Sequence, residues 1–148
     1  THVMLFTAAR YELWRKLAEP VLKRGGYVIS ARNWWSTLAY QGYGQGVSRS
    51  RIIRITKEVM PTLYVKPDKA VILTLDDQVR KERESGRDAV HGADTTSQTD
   101  TFESKPDEFQ EKVNRGYLQI AQEFRLEVVD ANGTIDEVAE KIKTKIKL

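Results

Sequence analysis

The feature that most constrains the fold is the run AVILTL at residues 70–75, in which every residue is apolar or β-branched. Such a run is typical of a strand buried on both faces of a parallel sheet, because a solvated face would require alternating polar residues. Parallel strands need a crossover connection, and that connection is usually a helix. The run therefore predicts an α/β fold in which strands alternate with helices.

The remaining elements are predicted from periodicity and turn residues. Apolar side chains three and four residues apart predict a helix over 2–24, ended by Gly25-Gly26 and bent or split at Pro20. A helical turn is expected over about 36–41, broken by Gly42, Gly44 and Gly46, and an extended linker between Pro61 and Pro67. Further helices are predicted over 49–60, 76–85, 107–124 and after the string ANGT at 131–134; further strands are predicted at 27–31 and 126–130. A chain of 148 residues is expected to form one domain, residues 1–148.

Composition excludes several classes of protein. The chain has 24 basic and 21 acidic residues, a net charge of +3, which falls short of the basic stripe of a nucleic-acid binder. No apolar run approaches the roughly 20 residues of a membrane helix, and the start THVMLF lacks the charged region of a signal peptide. The lack of cysteine removes disulfides and thiol nucleophiles and fits a cytoplasmic protein. His2 and His91 have no partner at ligand spacing, so no metal site is expected.

Polar side chains follow the predicted strand at 27–31. Ligands of parallel sheets bind at the carboxyl ends of strands, and Arg32 lies there, where a guanidinium can bind a phosphate through two hydrogen bonds. Four further polar residues follow on successive helical turns: Ser36, Thr37, Tyr40 and Gln41. From spacing alone, a helix cap with a surface arginine is an equally good interpretation.

Neighbouring features have ordinary structural interpretations. Phe6 and Arg10 lie one turn apart on the first helix, and periodicity alone makes them a core residue and a surface charge. The glycine string GYGQG at 42–46 lacks the Lys-Ser/Thr of a phosphate loop and is interpreted as a hinge. Of Trp34 and Trp35, one is expected to pack in the core and the other to cover a pocket or a partner surface.

The segment 86–106 is polar and almost free of apolar side chains. A loop of about 20 residues inside a compact domain is usually a functional lid or a disordered segment, so a lid-like loop is predicted. The charged string RKERESGRD at 80–88 leads into it, which makes Arg83 and Arg87 candidate lid residues although such a string is usually a solvated helix end.

Taken in order, these pieces resemble the thymidylate kinase family over essentially the whole chain. LFTAAR (5–10) is similar to the family's LF-x-A-x-R helix, and GYVISARNWWSTLAYQGYGQG (26–46) resembles its strand, Asp-Arg pair and Ser-x-x-AYQG-x-G-R-G segment. KPDKAVILTL (66–75) resembles the family's PD strand, and DTFES (100–104) the end of its lid. FQEKVNRGYLQIA (109–121) and VVDANGTIDEVAEKI (128–142) resemble its last two helices with the strand between them.

The resemblance implies a three-layer, P-loop-kinase-like parallel sheet flanked by helices. It also implies transfer of the γ-phosphoryl group of ATP to thymidine monophosphate with Mg²⁺, by a homodimer that needs neither nucleic acid nor membrane. Arg32, as the catalytic residue, would hold the acceptor phosphate.

The resemblance implies further contacts with the substrate. Phe6 would stack on the thymine ring and Arg10 would contact the base. Ser36 and Thr37 would lie near the base. Tyr40 would sit under the sugar, where its bulk disfavours a ribose 2′-hydroxyl, and Gln41 would neighbour the pocket. Arg83 and Arg87 would belong to the lid that closes over ATP.

Four positions depart from the family pattern. Ala31 stands where the family has the aspartate of its Asp-Arg pair, and Gln45 replaces an arginine. Thr101 replaces the arginine of the lid's Asp-Arg-Phe-Glu string, and Thr74 replaces an aspartate near the end of the PD strand.

The family's first two strands and its Walker A loop have no counterpart in the sequence. The first strand of the family lies between those that match 27–31 and 70–75, so the edges of these two strands would be unpaired. We therefore expect the C-terminal part of a longer kinase, or a chain that borrows or rearranges strands. Such a chain would supply the thymidine monophosphate pocket and part of the lid and would be inactive alone. The alternative is a non-catalytic nucleotide-binding or dimerisation module derived from such a kinase.

Overall fold

The first helical segment is interrupted just before Pro20. The computed structural model of the chain describes residues 2–83 and 107–147. Helix α1 spans His2–Leu13, a π-helical turn spans Trp14–Ala18, and α2 spans Glu19–Lys23. Proline has no N–H to donate and its ring crowds the carbonyl four residues earlier, which favours the wider turn in which the Glu19 N–H donates to the Trp14 carbonyl. The predicted break at Pro20 is confirmed.

The second helical unit begins at Trp34. Helix α3 spans Trp34–Thr37 and continues as a π-helix over Leu38–Gly44; the two are called helix 34–44 below. The side chain of Asn33 caps this helix by accepting from the Trp34 backbone N–H. The predicted turn over 36–41 lies within this helix, which begins two residues earlier and continues past Gly42 to end at Gly44.

The glycines of this helix serve packing. A Cβ built at Gly44 would lie 2.5 Å from the ring of Phe109. Gly44 thus allows a neighbouring helix to approach closely, which the interpretation of the glycine string as a hinge did not include.

The other helices follow the predicted pattern with one exception. The exception is α5, Thr62–Val65, which replaces part of the linker expected between the two prolines; Pro61 stands before it with a φ of −59°. Ser48 caps α4, and Thr134 and Glu137 form a capping box at the start of α8. The remaining bounds are α4 Arg49–Val59, α7 Asp107–Phe124 and α8 Ile135–Ile146; α6 begins at residue 77 and is described as far as residue 83.

Two of the three predicted strands form, and they pair in parallel. Strand β1 spans Val71–Thr74 and β2 spans Glu127–Asp130, with Val71 opposite Glu127. The parallel α/β arrangement is thus confirmed as a small two-stranded sheet within the described residues. The expectation that β1 is buried on both faces is wrong, because Ile72 is buried whereas Leu73 is 51% exposed.

The strand predicted at 27–31 is absent from the structure. These residues pair with no other segment of the described chain, and Ile29 is 97% exposed. A strand exists only when a neighbour pairs with its N–H and C=O groups, so an apolar pattern without such a neighbour stays unpaired.

The main core lies between helix 34–44, α1, α4, α5 and α7. Both tryptophans belong to it: Trp34 and Trp35 are buried and pack against Phe124 at centroid distances of 5.2 and 6.2 Å. The expectation that one tryptophan covers a pocket or a partner surface is therefore wrong. The other buried core residues are Val3, Leu38, Ala39, Ile52, Met60, Val65, Val113 and Ile120.

Some of the sequence predictions fall outside the described part of the chain. The lid-like loop at 86–106 lies there, and so do Arg87, His91 and Thr101. Within residues 2–83 and 107–147, none of the helices has the length and apolarity that a membrane span would require.

Candidate functional site

Arg10 joins α1 to helix 34–44. Its Nη1 donates to Thr37 Oγ1 at 2.7 Å, and its guanidinium carbon lies 5.5 Å from the centre of the Phe6 ring. The turn spacing of α1 puts Phe6 and Arg10 on one face, as the sequence predicts. The structure does not make Arg10 a plain surface charge, because it is partly buried and bonded to a distant element.

Arg32 and Tyr40 form the second part of the cluster. The Arg32 guanidinium carbon lies 5.4 Å from the centre of the Tyr40 ring, a cation–π distance. Arg32 precedes helix 34–44 in an exposed turn, and Tyr40 lies in its π-helical part. The exposed Arg32 therefore contacts helix 34–44 through the ring of Tyr40.

The electrostatics of the two arginines favour an anionic ligand. Burial is the largest cause that lowers the pKa of Arg10, and the charge of Arg32 lowers it further. Within the described residues, neither guanidinium forms an ion pair with a carboxylate. Two guanidiniums that lack a carboxylate partner in the described part of the chain are suited to bind a phosphate or carboxylate group of a ligand.

Buried polar side chains complete the wall formed by helix 34–44. Ser36, Thr37 and Gln41 are all buried although all three are polar. Buried polar groups are normally hydrogen-bonded or face a ligand, and Thr37 already accepts from Arg10; that these residues line one binding site stays a prediction.

Tyr117 of α7 also belongs to this cluster, which no pattern in the sequence predicts. Its hydroxyl donates to Ser36 Oγ at 2.9 Å, and its ring lies edge-on to Tyr40. Burial raises the pKa of Tyr117. Spacing along α7 shows which residues share a face but not which distant residue that face meets, so sequence reasoning could not find this contact.

Two grooves of the described surface lie away from this cluster. One of about 700 Å³ lies between β2 and α8 and is lined by Val128, Glu140 and Lys145 among others. The cluster around Arg10 and Arg32 lines neither of them. Its identification therefore depends on the grouping of charges and buried polar residues, not on the depth of a cavity.

Comparison with known proteins decides the family. The model of the family described as "Thymidylate kinase" matches residues 1–142. The chain belongs to the thymidylate kinase family. It is 35% identical to the thymidylate kinase of Nitrosospira multiformis over 148 residues, and 34% identical to that of Burkholderia vietnamiensis over 145 residues. The matches cover 99% and 97% of this chain and 67% and 65% of those proteins.

A solved structure supports the same family. The chain superposes on the crystal structure of thymidylate kinase from Ehrlichia chaffeensis with a TM-score of 0.66 at 26% identity. The match covers 99% of this chain and 64% of that one. The chain thus spans about two thirds of the length of the thymidylate kinases it matches.

Three of the four residues that depart from the thymidylate kinase pattern lie in the described part of the chain: Ala31, Gln45 and Thr74. Ala31 is exposed directly beside Arg32, and Gln45 is exposed just after helix 34–44. Thr74 ends β1, where its hydroxyl donates to the Val129 carbonyl at 3.4 Å. Arg83 donates to the Gly133 carbonyl at 2.7 Å, so within the described residues it contacts the segment before α8 and not the Arg10 cluster.

The described residues do not fit a Mg²⁺ site. They contain no group of three or more His, Asp or Glu side chains that could hold a metal ion. Ala31 presents a methyl group where the thymidylate kinase pattern has a carboxylate, and Mg²⁺ requires oxygen ligands. No step of phosphoryl transfer is therefore derived through a metal ion bound to these residues.

Proposed function

We propose that this chain binds thymidine 5′-monophosphate between α1 and helix 34–44, as the phosphoryl acceptor of a thymidylate kinase reaction. The observation that carries the proposal is the pair Arg10 and Arg32: the charge of Arg32 acts on Arg10, and neither guanidinium has a carboxylate partner in the described chain. Family membership supports a nucleoside monophosphate kinase role, and the name of the family suggests thymidine monophosphate as the nucleotide.

Each side chain of the cluster is suited to contact one part of this nucleotide. Phe6 is partly exposed and can stack on the thymine ring, while Arg10 and Thr37 can bond the base edge. Arg32 can bind the 5′-phosphate through two parallel hydrogen bonds. The ring of Tyr40 lies next to Arg32, where it can contact the sugar.

Two residues complete the proposed pocket and one is assigned to the lid. Ser36 and Gln41 line the buried side of helix 34–44. Arg83 leads into the segment predicted to close over ATP, and Arg87 is proposed for the same role on the basis of the sequence alone.

We further propose that the 148-residue chain alone binds the acceptor without phosphorylating it. The sequence contains no Gly-x-x-x-x-Gly-Lys-Ser/Thr string, whose backbone N–H groups and lysine bind the phosphates of ATP in P-loop kinases. In the intact enzyme, ATP and Mg²⁺ would supply the transferred phosphoryl group and neutralise its charge. This chain's residues would hold and orient the acceptor phosphate.

Titration calorimetry with thymidine 5′-monophosphate and with thymidine tests the acceptor proposal. We expect the chain to bind the monophosphate more tightly. Arg32→Gln should weaken binding of the monophosphate by about tenfold to a hundredfold, since a hydrogen bond to a charged group contributes about 1.5–3 kcal/mol. The same variant should leave thymidine binding unchanged.

Arg54→Gln is the matched control, because Arg54 is an exposed arginine of α4 whose nearest carboxylate is Glu58 at 4.0 Å. It should bind both ligands like the wild type. An equal loss for thymidine and its monophosphate in Arg32→Gln would contradict the proposed phosphate contact.

A second candidate is a non-catalytic nucleotide-binding module, and Ala31 is the observation that favours it. A methyl group beside Arg32 cannot accept a hydrogen bond or bind a cation, so the site can hold a nucleotide while lacking one charge needed for transfer. Substitution of Ala31 in a chain that carries a complete phosphate loop separates the two candidates.

A further inference from the structure

Tyr117 touches two side chains of the proposed acceptor pocket from outside it. It lies on α7, and its hydroxyl donates to Ser36 Oγ at 2.9 Å. Its ring meets that of Tyr40 edge to face, with centroids 6.3 Å apart and planes at 83°. Such T-shaped pairs are among the favoured arrangements of aromatic rings.

The hydrogen bond fixes the orientation of the Ser36 hydroxyl. Since Tyr117 is the donor, one lone pair of Ser36 Oγ is occupied and the serine hydrogen points away from Tyr117. Burial raises the pKa of Tyr117, so its phenol remains protonated and able to donate near neutral pH. Ser36 is buried, which makes a single orientation more favourable than free rotation.

The ring contact fixes the tilt of Tyr40. Tyr117 and Phe109, both from α7, lie with their ring centres 6.3 Å from that of Tyr40. The Arg32 guanidinium lies 5.4 Å from the same ring. The position of the Tyr40 ring relative to a bound sugar is therefore set by α7 as well as by helix 34–44.

We propose that Tyr117 is a positioning residue for the acceptor nucleotide, which sets the preference for a 2′-deoxyribose sugar by holding the Tyr40 ring and raises affinity by orienting Ser36. This inference rests on the proposed function, in which Tyr40 lies next to the sugar. Tyr117 itself does not touch the nucleotide. Its two contacts predict two separable effects.

Two substitutions separate these effects. Tyr117→Phe removes the hydroxyl and keeps the ring, whereas Tyr117→Leu removes both. Titration calorimetry would use thymidine 5′-monophosphate and its ribose analogue, 5-methyluridine 5′-monophosphate. Tyr27→Phe is the matched control, because Tyr27 is 93% exposed and its hydroxyl is in water.

We expect Tyr117→Phe to weaken binding of both nucleotides by about threefold to tenfold, the effect of one hydrogen bond, and to leave the ratio of their affinities unchanged. Ser36→Ala should give a similar loss, and the double variant no further loss. Tyr117→Leu should lower the preference for the deoxyribose nucleotide by about fivefold or more. Tyr27→Phe should change neither affinity nor preference.

The results of these titrations separate a failure of this inference from a failure of the proposed function. If the wild type binds the deoxyribose nucleotide and Tyr117→Leu keeps the wild-type preference, the inference is wrong and the acceptor site stands. A purely structural role would lower the melting temperature and the fraction of binding-competent protein without changing the ratio of affinities, and that result would also overturn it. If the wild type binds neither nucleotide, both the proposed function and the inference fail.

Discussion

At the scale of single residues, the bond between Arg10 and Thr37 is the contact that ties the candidate site together. A partly buried guanidinium loses part of its hydration, and the Thr37 hydroxyl at 2.7 Å replaces some of it. Thr37 belongs to helix 34–44 and Arg10 to α1, so the same bond links two elements.

Thr37→Val should therefore destabilise the free protein. Valine has the shape of threonine but cannot accept from Arg10, and we expect the free energy of unfolding to fall by about 1–2 kcal/mol. Chemical denaturation without ligand measures this change. Thr37→Ser is the control, because it keeps the hydroxyl and should lose less stability than Thr37→Val. Equal stability of the valine variant and the wild type would show that the bond contributes nothing.

The sequence showed only part of this residue-scale arrangement. The spacing of Phe6 and Arg10 predicts a shared face, and the polar residues on successive helical turns at 36–41 are candidates for one binding site. Neither pattern shows that Arg10 meets Thr37 across 27 residues or that Tyr117 meets Ser36 across 81. Local spacing determines neighbours along one helix, whereas contacts between elements depend on how those elements pack.

At the scale of elements, α7 is the helix that supports the candidate site. Two glycines allow its close approach to helix 34–44: Gly44 faces Phe109, and Gly116 of α7 faces Tyr43. A Cβ built at Gly116 would lie 2.7 Å from Tyr43 Cγ and 2.8 Å from Tyr43 Cβ. These atoms are close to the backbone and cannot move aside easily.

Gly116→Ala should consequently destabilise the protein although alanine is the better helix former. The propensity gain is about 1 kcal/mol, whereas overpacking against the base of a side chain costs about 1–3 kcal/mol and displaces α7. Thermal and chemical denaturation measure the net effect. In a Tyr43→Ala background the same substitution should be neutral or stabilising, since the clash is gone. A stabilising Gly116→Ala in the wild-type background would contradict the observed packing.

Helices and strands differed in how well the sequence predicted them. The bounds 107–124 of α7 were predicted as observed, because a helix satisfies its own hydrogen bonds and its caps are local. The strand predicted at 27–31 did not form, since no described segment pairs with it. The two strands that did form, β1 and β2, pair through backbone hydrogen bonds to each other.

At the scale of the whole molecule, α1 and the π-helical turn after it leave an apolar stripe in solvent. Leu5, Leu13 and Leu17 are each more than half exposed and follow helical spacing along one side. An exposed stripe of this kind marks an interaction surface, and the family resemblance implies a homodimer formed through long helices.

Leu13→Glu should convert a dimer of this chain into a monomer, because it places a charge in the middle of the stripe. Sedimentation velocity at several protein concentrations measures the change. Leu118→Glu is the matched control, since Leu118 is a comparably exposed leucine on α7. A wild-type monomer at all concentrations would refute the dimer, and dissociation by both variants would mean that the stripe is not the specific interface.

The proposed acceptor pocket needs a phosphate-binding part to become a catalytic site, and the surface of the chain leaves room for one. Leu73 of β1 and the unpaired residues 27–31 leave apolar groups and backbone that a further strand could cover. The chain spans about two thirds of the thymidylate kinase of Nitrosospira multiformis, and the family pattern includes a strand and a Walker A loop that these 148 residues do not contain. A chimera with the part of that relative outside the match is therefore expected to bind ATP.

In such a chimera, Ala31→Asp should raise kcat for phosphorylation of thymidine 5′-monophosphate by about tenfold or more, because it adds a carboxylate beside Arg32 where the family has one. The KM for thymidine 5′-monophosphate should change little, since Arg32 and Arg10 already hold the acceptor. Ala31→Asn is the matched control: it has the same size without the charge and should not restore turnover. Equal kcat values for the alanine and aspartate chimeras would mean that the carboxylate is dispensable. Turnover by the 148-residue chain alone at the rate of the chimera would contradict the proposed division of the site.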